Sequence, residues 1–305
     1  MSLKKILEKS LPFSSKEIDF FVMSAPLRYK VYKIKKKEPG KFREVSQPSA
    51  EVKLLQRWLM LNVLVKFKVH DSAKAYKAGV GLLDNVSPHV NNRFLLKMDF
   101  ENFFPSITSG DFFDFMVGKG YDYEDIVVMV SILFKKDRAD DSLRLAIGAP
   151  SSPLLSNILL YNFDVALDDY CQTLGVVYTR YADDLSFSTK NSGVLNGVEK
   201  ALGGIIESSC SISLKVNRDK TIHSSKKNGR KITGLVIGSD NKVSIGLERK
   251  RLLRSQVYRF KKGFLDPEQV GSLKGYIAFL QSVEPEHVKR LINIYGRETM
   301  FLLLS

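Results

Sequence analysis

The sequence predicts an α+β fold, an antiparallel sheet backed by helices, and three observations carry that expectation. Residues 178–189, Tyr178-Thr179-Arg180-Tyr181-Ala182-Asp183-Asp184-Leu185-Ser186-Phe187-Ser188-Thr189, place two adjacent aspartates between runs of β-branched and aromatic residues. A hairpin with both aspartates at its tip is the simplest geometry for such a stretch. Phe94-Leu95-Leu96-Lys97-Met98-Asp99-Phe100 is a mostly apolar run ending in an acid, as a buried strand with Asp99 at its tip would be. Between and beyond them, Val52 to Phe67, Leu154 to Tyr170 and Val198 to Ser209 read as helices.

Bulk properties narrow the function. At 305 residues the chain can hold two or three subdomains on connected cores, and 44% hydrophobic with 26% charged residues suits a soluble globular protein. Lys and Arg number 47 against 33 Asp and Glu, a net charge of +14, with a pI near 9.5. That excess points to a polyanionic partner. Anionic membrane is the rival, but no basic amphipathic helix with a wide apolar face stands out. The longest apolar stretch, Ile126 to Phe134, is half of a membrane span and contains Ser131. The N-terminus lacks the apolar core of a signal peptide. Cys171 and Cys210 form no CxxC, and His70, His89, His223 and His287 show no zinc spacing. A cytoplasmic, reduced protein without a zinc site is expected.

Taken in order, residues 1–25 form a helical lead-in, with Ser14-Ser15 as a cap before Glu17. Tyr29 to Lys37 is a strand, Glu38-Pro39-Gly40-Lys41 a turn, and Phe42 to Val45 a return strand, giving a hairpin crowned with cations. In the helix from Val52, Lys53 and Arg57 lie one turn apart on a polar face. Lys74, Tyr76 and Lys77 fall in a loop ending at Gly79-Val80-Gly81, and Asn85-Val86-Ser87-Pro88-His89 is a further break. Residues 111–134 are helical in two pieces broken at Gly118-Lys119-Gly120. Gly148-Ala149-Pro150-Ser151-Ser152-Pro153 is a small-residue turn, Ile212-Ser213-Leu214 a strand, and Ile232 to Ile237 another. From Leu247 the chain is helical and basic, broken near Gly263 and Asp266-Pro267.

If the Asp99 strand pairs with the hairpin, Asp99, Asp183 and Asp184 converge. Like charges held that close repel, and desolvation sharpens the repulsion, so a fold keeps them chiefly where a cation neutralises them. Carboxylate oxygens suit a hard ion such as Mg²⁺. Three of them can hold two Mg²⁺ about 3.5–4 Å apart, the arrangement for in-line phosphoryl displacement at a 3′-hydroxyl. For the Asp-Asp pair taken alone, a solvated turn is the competing reading.

Five stretches then occur in a telling order: Arg43-Glu44-Val45-Ser46-Gln47-Pro48; Asp99-Phe100-Glu101-Asn102-Phe103-Phe104-Pro105-Ser106-Ile107; Gly148 to Pro153; Tyr181-Ala182-Asp183-Asp184; and Asn217 to Thr221. In that order, from about residue 28 to residue 238, the chain resembles a reverse transcriptase. Within the family it most resembles bacterial retron reverse transcriptases. Asn85-Val86-Ser87-Pro88-His89 is similar to their Asn-Ala-x-x-His motif, and Ile232-Thr233-Gly234 to their Val-Thr-Gly motif. Val86 replaces the alanine and Ile232 the valine. Ala146 replaces the usual Pro, and Ile147 stands where the family carries a glutamine normally given a template contact.

The resemblance implies a right-hand polymerase: fingers over 1–92, a first part of the palm over 93–110, a helical fingers/palm insertion over 111–145, palm over 146–238 and an RNA-binding thumb over 239–305. It implies that Asp99, Asp183 and Asp184 ligate metal, with Phe100 adding its backbone carbonyl. Phe104 would block a ribose 2′-hydroxyl and so favour deoxynucleotides; a core phenylalanine is the other reading. Arg43 and Lys36 would close on the incoming triphosphate, with Lys35 or Lys37 as substitutes for the lysine. Gly148 and Ala149 would let a nucleobase lie against backbone, and a plain helix-initiating turn is the alternative. Lys220 matches a lysine near the pyrophosphate, a general acid if not simply solvated.

From Lys215 to Lys262 there are fifteen Lys or Arg and three Asp or Glu. Arg249, Lys250, Arg251 and Arg254, with Tyr258 and Arg259 one turn on, suit a helix along an RNA backbone. Lys53, Arg57, Asn85 and His89 are expected to join them in binding RNA. The retron resemblance implies an enzyme that binds its own structured noncoding RNA and primes from a guanosine 2′-hydroxyl. From deoxynucleoside triphosphates it would make a branched RNA-linked single-stranded DNA, in antiphage defence with an effector protein. Two rivals are another bacterial reverse transcriptase, intron-encoded or of abortive-infection type, and an RNA-scaffolding antitoxin component.

Overall fold

A computed structural model describes residues 2–35, 40 and 42–305. Helices α1 (Leu3–Ser10) and α2 (Ser15–Ser24) open the chain, and the cap expected at Ser14 is present. The Ser14 side chain accepts the Glu17 N–H while the Glu17 carboxylate accepts the Ser14 N–H at 2.8 Å. Strands β1 (Tyr29–Lys35) and β2 (Phe42–Pro48) pair antiparallel from Tyr29↔Pro48 to Lys35↔Phe42. Of the expected hairpin, Lys36, Lys37, Glu38, Pro39 and Lys41 lie outside the described residues. Helix α3 (Ala50–Asn62) is capped by Ser49 and closes in one 3-10 turn, Leu64–Lys66.

The short helix α4 (Leu82–Val86) and a 3-10 turn, Ser87–His89, lead into β3 (Phe94–Asp99). Then come α5 (Phe103–Ser106), α6 (Ser109–Gly118) and α7 (Tyr123–Leu133), the last two separated where the sequence places glycines. A minimal hairpin, β4 (Lys135–Lys136) with β5 (Leu143–Arg144), precedes α8 (Ser152–Leu159) and α9 (Tyr161–Thr173). The Asp-Asp hairpin is β6 (Val177–Tyr181) and β7 (Asp184–Thr189), followed by α10 (Val194–Ser209) and β8 (Ile222–Ser225).

These strands make one antiparallel sheet in the order β6-β7-β3-β8. Side chains alternate across a strand, so residues opposite each other share a face. Leu96, Met98, Tyr178, Leu185 and Phe187 face a core built with α9 and α10. Lys97, Asp99, Asp184 and Ser186 share the other face through the pairs Lys97↔Ser186 and Asp99↔Asp184.

Two expected strands are corrected. Ile212-Ser213-Leu214 is irregular: the Leu214 N–H donates to the Ile212 carbonyl at 2.8 Å, a three-residue turn that buries both apolar side chains without a ladder. The sheet takes β8 as its fourth strand instead. The run from Ile232 to Ile237 is two strands, β9 (Arg230–Ile232) and β10 (Leu235–Ile237), joined by Thr233-Gly234 with φ of 43° and 84°. Positive φ at both turn residues gives the twist that a two-residue hairpin needs.

Beyond β11 (Val243–Ser244), helices α11 (Leu247–Lys261), α12 (Pro267–Val283), α13 (Pro285–Tyr295) and α14 (Arg297–Leu304) build a second core. Val86 and Leu95 belong to it, so the C-terminal helices are seated on α4 and on the sheet. Val86 and Ile232, the two enlarged positions of the retron-like motifs, are both fully buried in this cluster. Under the sheet's helix-backed face lies a buried ion pair: Arg180 donates from Nε to Asp164 Oδ1 at 2.8 Å, and the Tyr178 hydroxyl donates to the same oxygen at 2.8 Å. Asp164→Ala leaves the Arg180 charge buried and unpaired, and is expected to lower stability by about 3–5 kcal/mol in urea unfolding.

Candidate active site

The pair Tyr181↔Asp184 closes a two-residue turn, Ala182-Asp183, with Ala182 in the left-handed region at φ 59°. Asp184 lies opposite Asp99, and the Phe100 N–H donates to the Asp183 carbonyl at 3.1 Å. The Asn217 N–H donates to the Asp99 carbonyl at 2.7 Å, which draws in the segment carrying Lys220. Lys220 Nζ is 2.7 Å from Asp99 Oδ1. Strand pairing thus brings Asp99, Phe100, Asp183, Asp184 and Lys220 together.

The electrostatics reflect the crowding. Lost hydration, then the charge of Asp99, raises the Asp183 carboxyl above the ordinary aspartate range. Lost hydration, followed by the charges of Asp183 and Asp99, pushes Asp184 up to about 6. Partial burial pulls the Lys220 ammonium down, but its hydrogen bond to Asp99 and the three carboxylate charges more than offset this and leave it raised. Among the described residues, no three His, Cys, Asp or Glu side chains stand in a metal-ligating arrangement. One Asp99 oxygen instead takes the Lys220 ammonium. The donor chemistry nonetheless fits a hard divalent cation: all oxygen, and short of positive charge.

Around the carboxylates, Phe104 is half-buried in α5, its ring centroid 5.3 Å from Phe103 and 6.4 Å from Tyr76. Arg43 is exposed on β2, opposite Ile34, and its charge favours ionised Asp183. Lys36 lies outside the described residues, as does Lys37; Lys35 is exposed at the end of β1. Gly148 has φ +108°, and a Cβ there would come within 2.9 Å of Val45 Cγ1 and 3.2 Å of the Ser46 carbonyl. The Ser46 N–H donates to the Ile147 carbonyl at 2.7 Å. A close backbone crossing of β2 therefore explains the glycine, and Ile147 joins that crossing through its backbone. Ala149 is a correction: its methyl is buried, so it offers no surface to a base.

Two of the expected RNA contacts are also corrected. Asn85 and His89 have no exposed surface, and a side chain without surface touches no RNA. His89 Nδ1 lies 2.6 Å from Ser188 Oγ and Nε2 lies 2.9 Å from Thr179 Oγ1, while burial, then the Lys74 charge, pushes its pKa down to about 3. A neutral His89 thus fastens the loop after α4 onto β6 and β7. Arg249 donates to the Gly234 carbonyl at 3.0 Å, and Lys250 pairs with Glu284 at 2.5 Å. Both cations have a partner within the chain and both remain partly exposed on α11. Arg251, Arg254, Tyr258 and Arg259 are exposed on α11, and three of them recur at i, i+3 and i+7 on one stripe. On α3, Arg57 is exposed and Lys53 half-buried.

Three residues were missed from sequence. Lys97, two before Asp99 on β3, shares its face and favours ionised Asp184; the strand period carried that signal. Arg180 stands inside the Asp-Asp hairpin, but nothing local shows that it is buried. Tyr76 sits in a loop at φ 63°, its ring 6.4 Å from both Phe104 and Tyr181. Burial, then the charge of Asp183, raises its hydroxyl pKa, while Arg43 opposes. No pattern in the chain announces that placement.

The chain is similar to known proteins. The family model for reverse transcriptase (RNA-dependent DNA polymerase) matches residues 34–237. The retron Ec83 reverse transcriptase of Escherichia coli is 34% identical, covering 98% of this chain and 96% of its own length. The retron Ec86 reverse transcriptase of Escherichia coli is 32% identical over 95% of this chain and 88% of its own. Among solved structures, a telomerase from Candida albicans matches 90% of this chain and 59% of its own at 15% identity and a TM-score of 0.48, too loose to carry an argument. Among the described residues, no helix is long and apolar enough to cross a membrane.

The raised Asp184 pKa has a signed consequence for stability. An unfolded aspartate releases its proton near 3.8 and folded Asp184 near 6, so between those values the folded protein holds a proton that the unfolded chain lacks. Without metal, this contribution is present at low pH and is lost as pH rises through about 4 to 6. The melting temperature of wild type relative to Asp184→Asn is therefore expected to fall across that window in chelator-treated protein. A flat difference would contradict the assigned crowding.

Proposed function

The chain belongs to the reverse transcriptase family, in its retron branch, and is an RNA-directed DNA polymerase with the right-hand fold of that family; from that premise we propose that it copies part of its own structured noncoding RNA into a branched, RNA-linked single-stranded DNA. Nucleic acid template and deoxynucleoside triphosphates are its substrates. The proposed primer is the 2′-hydroxyl of a guanosine in the same RNA. The setting is the cytoplasm, in antiphage defence with an effector protein.

The observation that carries the reading is the register Asp99↔Asp184, with the Phe100 N–H on the Asp183 carbonyl, in a chain alike to retron enzymes over nearly its whole length. Asp99, Asp183, Asp184 and the Phe100 carbonyl would hold divalent metal, two Mg²⁺ in this proposal. Bound there, metal lowers the pKa of the attacking hydroxyl and stabilises the leaving pyrophosphate. Lys220 neutralises Asp99 in the free protein. With Asp99 engaged by metal, the Lys220 ammonium would be free to donate to the pyrophosphate. Arg43 clamps triphosphate oxygens through its planar fork, with Lys36, seven residues earlier in the sequence, as its partner in the clamp. Phe104 and Tyr76 wall the sugar side, and Gly148 lets β2 approach the pocket.

We assign residues 1–92 to fingers, 93–110 to the first part of the palm, 111–145 to a helical fingers/palm insertion, 146–238 to palm, and 239–305 to thumb. Arg249, Lys250, Arg251, Arg254, Tyr258 and Arg259 on α11, with Lys53 and Arg57 on α3, are the cations and aromatic offered to RNA.

The test expresses the gene with its native upstream DNA, as wild type and Asp183→Asn in parallel, and resolves total nucleic acid on a denaturing gel. A small abundant DNA that shortens with ribonuclease and vanishes in the mutant is expected, with RNA binding retained in the mutant. Absence of that band, beside good extension of a generic primed RNA, would leave a reverse transcriptase of another kind.

A further inference from the structure

We infer that Arg180 and Asn157 form a positioning device, one buried unit that holds the Asp183 turn and the Tyr76 loop at a fixed spacing. The inference rests on the reading of Tyr76 as part of the nucleotide pocket.

Arg180 is fully buried on β6. Its pairing with Asp164 uses Nε and Nη2. The remaining arm, Nη1, does something the ion pair does not require: it donates to the Ala182 carbonyl at 3.2 Å and to Asn157 Oδ1 at 3.1 Å. Asn157, on α8 and also buried, turns its Nδ2 to the Ala75 carbonyl at 2.9 Å. Each gripped carbonyl belongs to the residue immediately before one that reaches the site, Asp183 in one case and Tyr76 in the other.

The backbone completes the link. The Arg180 N–H donates to the Ser72 carbonyl at 2.7 Å, and the Arg180 carbonyl accepts the Lys74 N–H at 2.8 Å. The segment from Ser72 to Lys74 is thereby a short extra edge along β6, with Ala73 opposite Arg180. Both grips hold backbone that a residue with a Cβ resists: Ala182 has φ 59° and Tyr76 has φ 63°. Such conformations persist where the surroundings over-determine them. A guanidinium has five donors in a rigid plane, so fixing one direction fixes the others. The carboxylates and the aromatic wall are thus set by one rigid group rather than by two independent loops.

The experiment is a double-mutant cycle on primer extension by the full-length protein, with KM for a deoxynucleotide and kcat read separately and melting temperature read in parallel. Asn157→Ala and Tyr76→Ala are each expected to raise KM about tenfold with kcat nearly unchanged, and the double variant no more than either alone, because both remove the same contact. Multiplying effects in the double variant, or an unchanged KM in Asn157→Ala, would overturn the coupling. An unchanged KM in Tyr76→Ala would instead overturn the placing of Tyr76 in the pocket. If Asn157→Ala folds poorly, Asn157→Asp keeps the acceptor for Arg180, lacks the donor to Ala75, and is expected to give the same rise in KM. Arg180→Lys keeps a charge beside Asp164 but loses the fork, so kcat should fall and KM rise together. A drop in melting temperature alone would reduce Arg180 to a structural role.

Discussion

The antiparallel register that sets Asp99 opposite Asp184 is the constraint on which the site depends. It joins groups that repel, and the hydrophobic pattern enforces it. A slip of one residue would turn Leu96 and Met98, or Leu185 and Phe187, from the helix-backed core to the open face. Burial of large apolar side chains stabilises by about 1.5–3 kcal/mol each, so several together outweigh the crowding of three carboxylates. The opposing free energy stays in the site as raised carboxyl pKa values and an ammonium drawn onto Asp99.

The rest of the molecule holds that sheet from both sides. Beneath it, α9 supplies Asp164 to Arg180, and α8 supplies Asn157, so the acidic turn is braced from the core. On the open face, His89 hydrogen-bonds to Ser188 and Thr179 and closes the part of the sheet away from the acids. Val86 and Leu95 then join the C-terminal helices in the second core. The retron-like motifs at residues 85–89 and 232–234 therefore act here as framework, linking the sheet to the basic helix α11.

Much of this was legible in the chain because strands have a period of two. Asp99, Asp183 and Asp184 could be brought together from two apolar runs ending in acids, and the Ser14 cap from side-chain chemistry alone. What could not be read was burial and distant pairing. Asn85 and His89 are polar residues in a motif, and nothing local shows that both are enclosed. Lys250 sits in a basic run, while the Glu284 that engages it is 34 residues away. The Thr233-Gly234 turn was hidden because apolar residues on both sides continue a strand-like pattern. Tyr76 owes its position to a left-handed backbone imposed from outside its own loop.

The central claim is that the three aspartates form one divalent-cation site. Its most direct measurement is Mn²⁺ binding, followed by the electron paramagnetic resonance of the free ion, for protein holding a primed RNA and a non-hydrolysable deoxynucleotide. Wild type should bind Mn²⁺ with an affinity that both Asp99→Asn and Asp183→Asn lose while nucleic acid remains bound. Equal Mn²⁺ binding by all three proteins would contradict the claim.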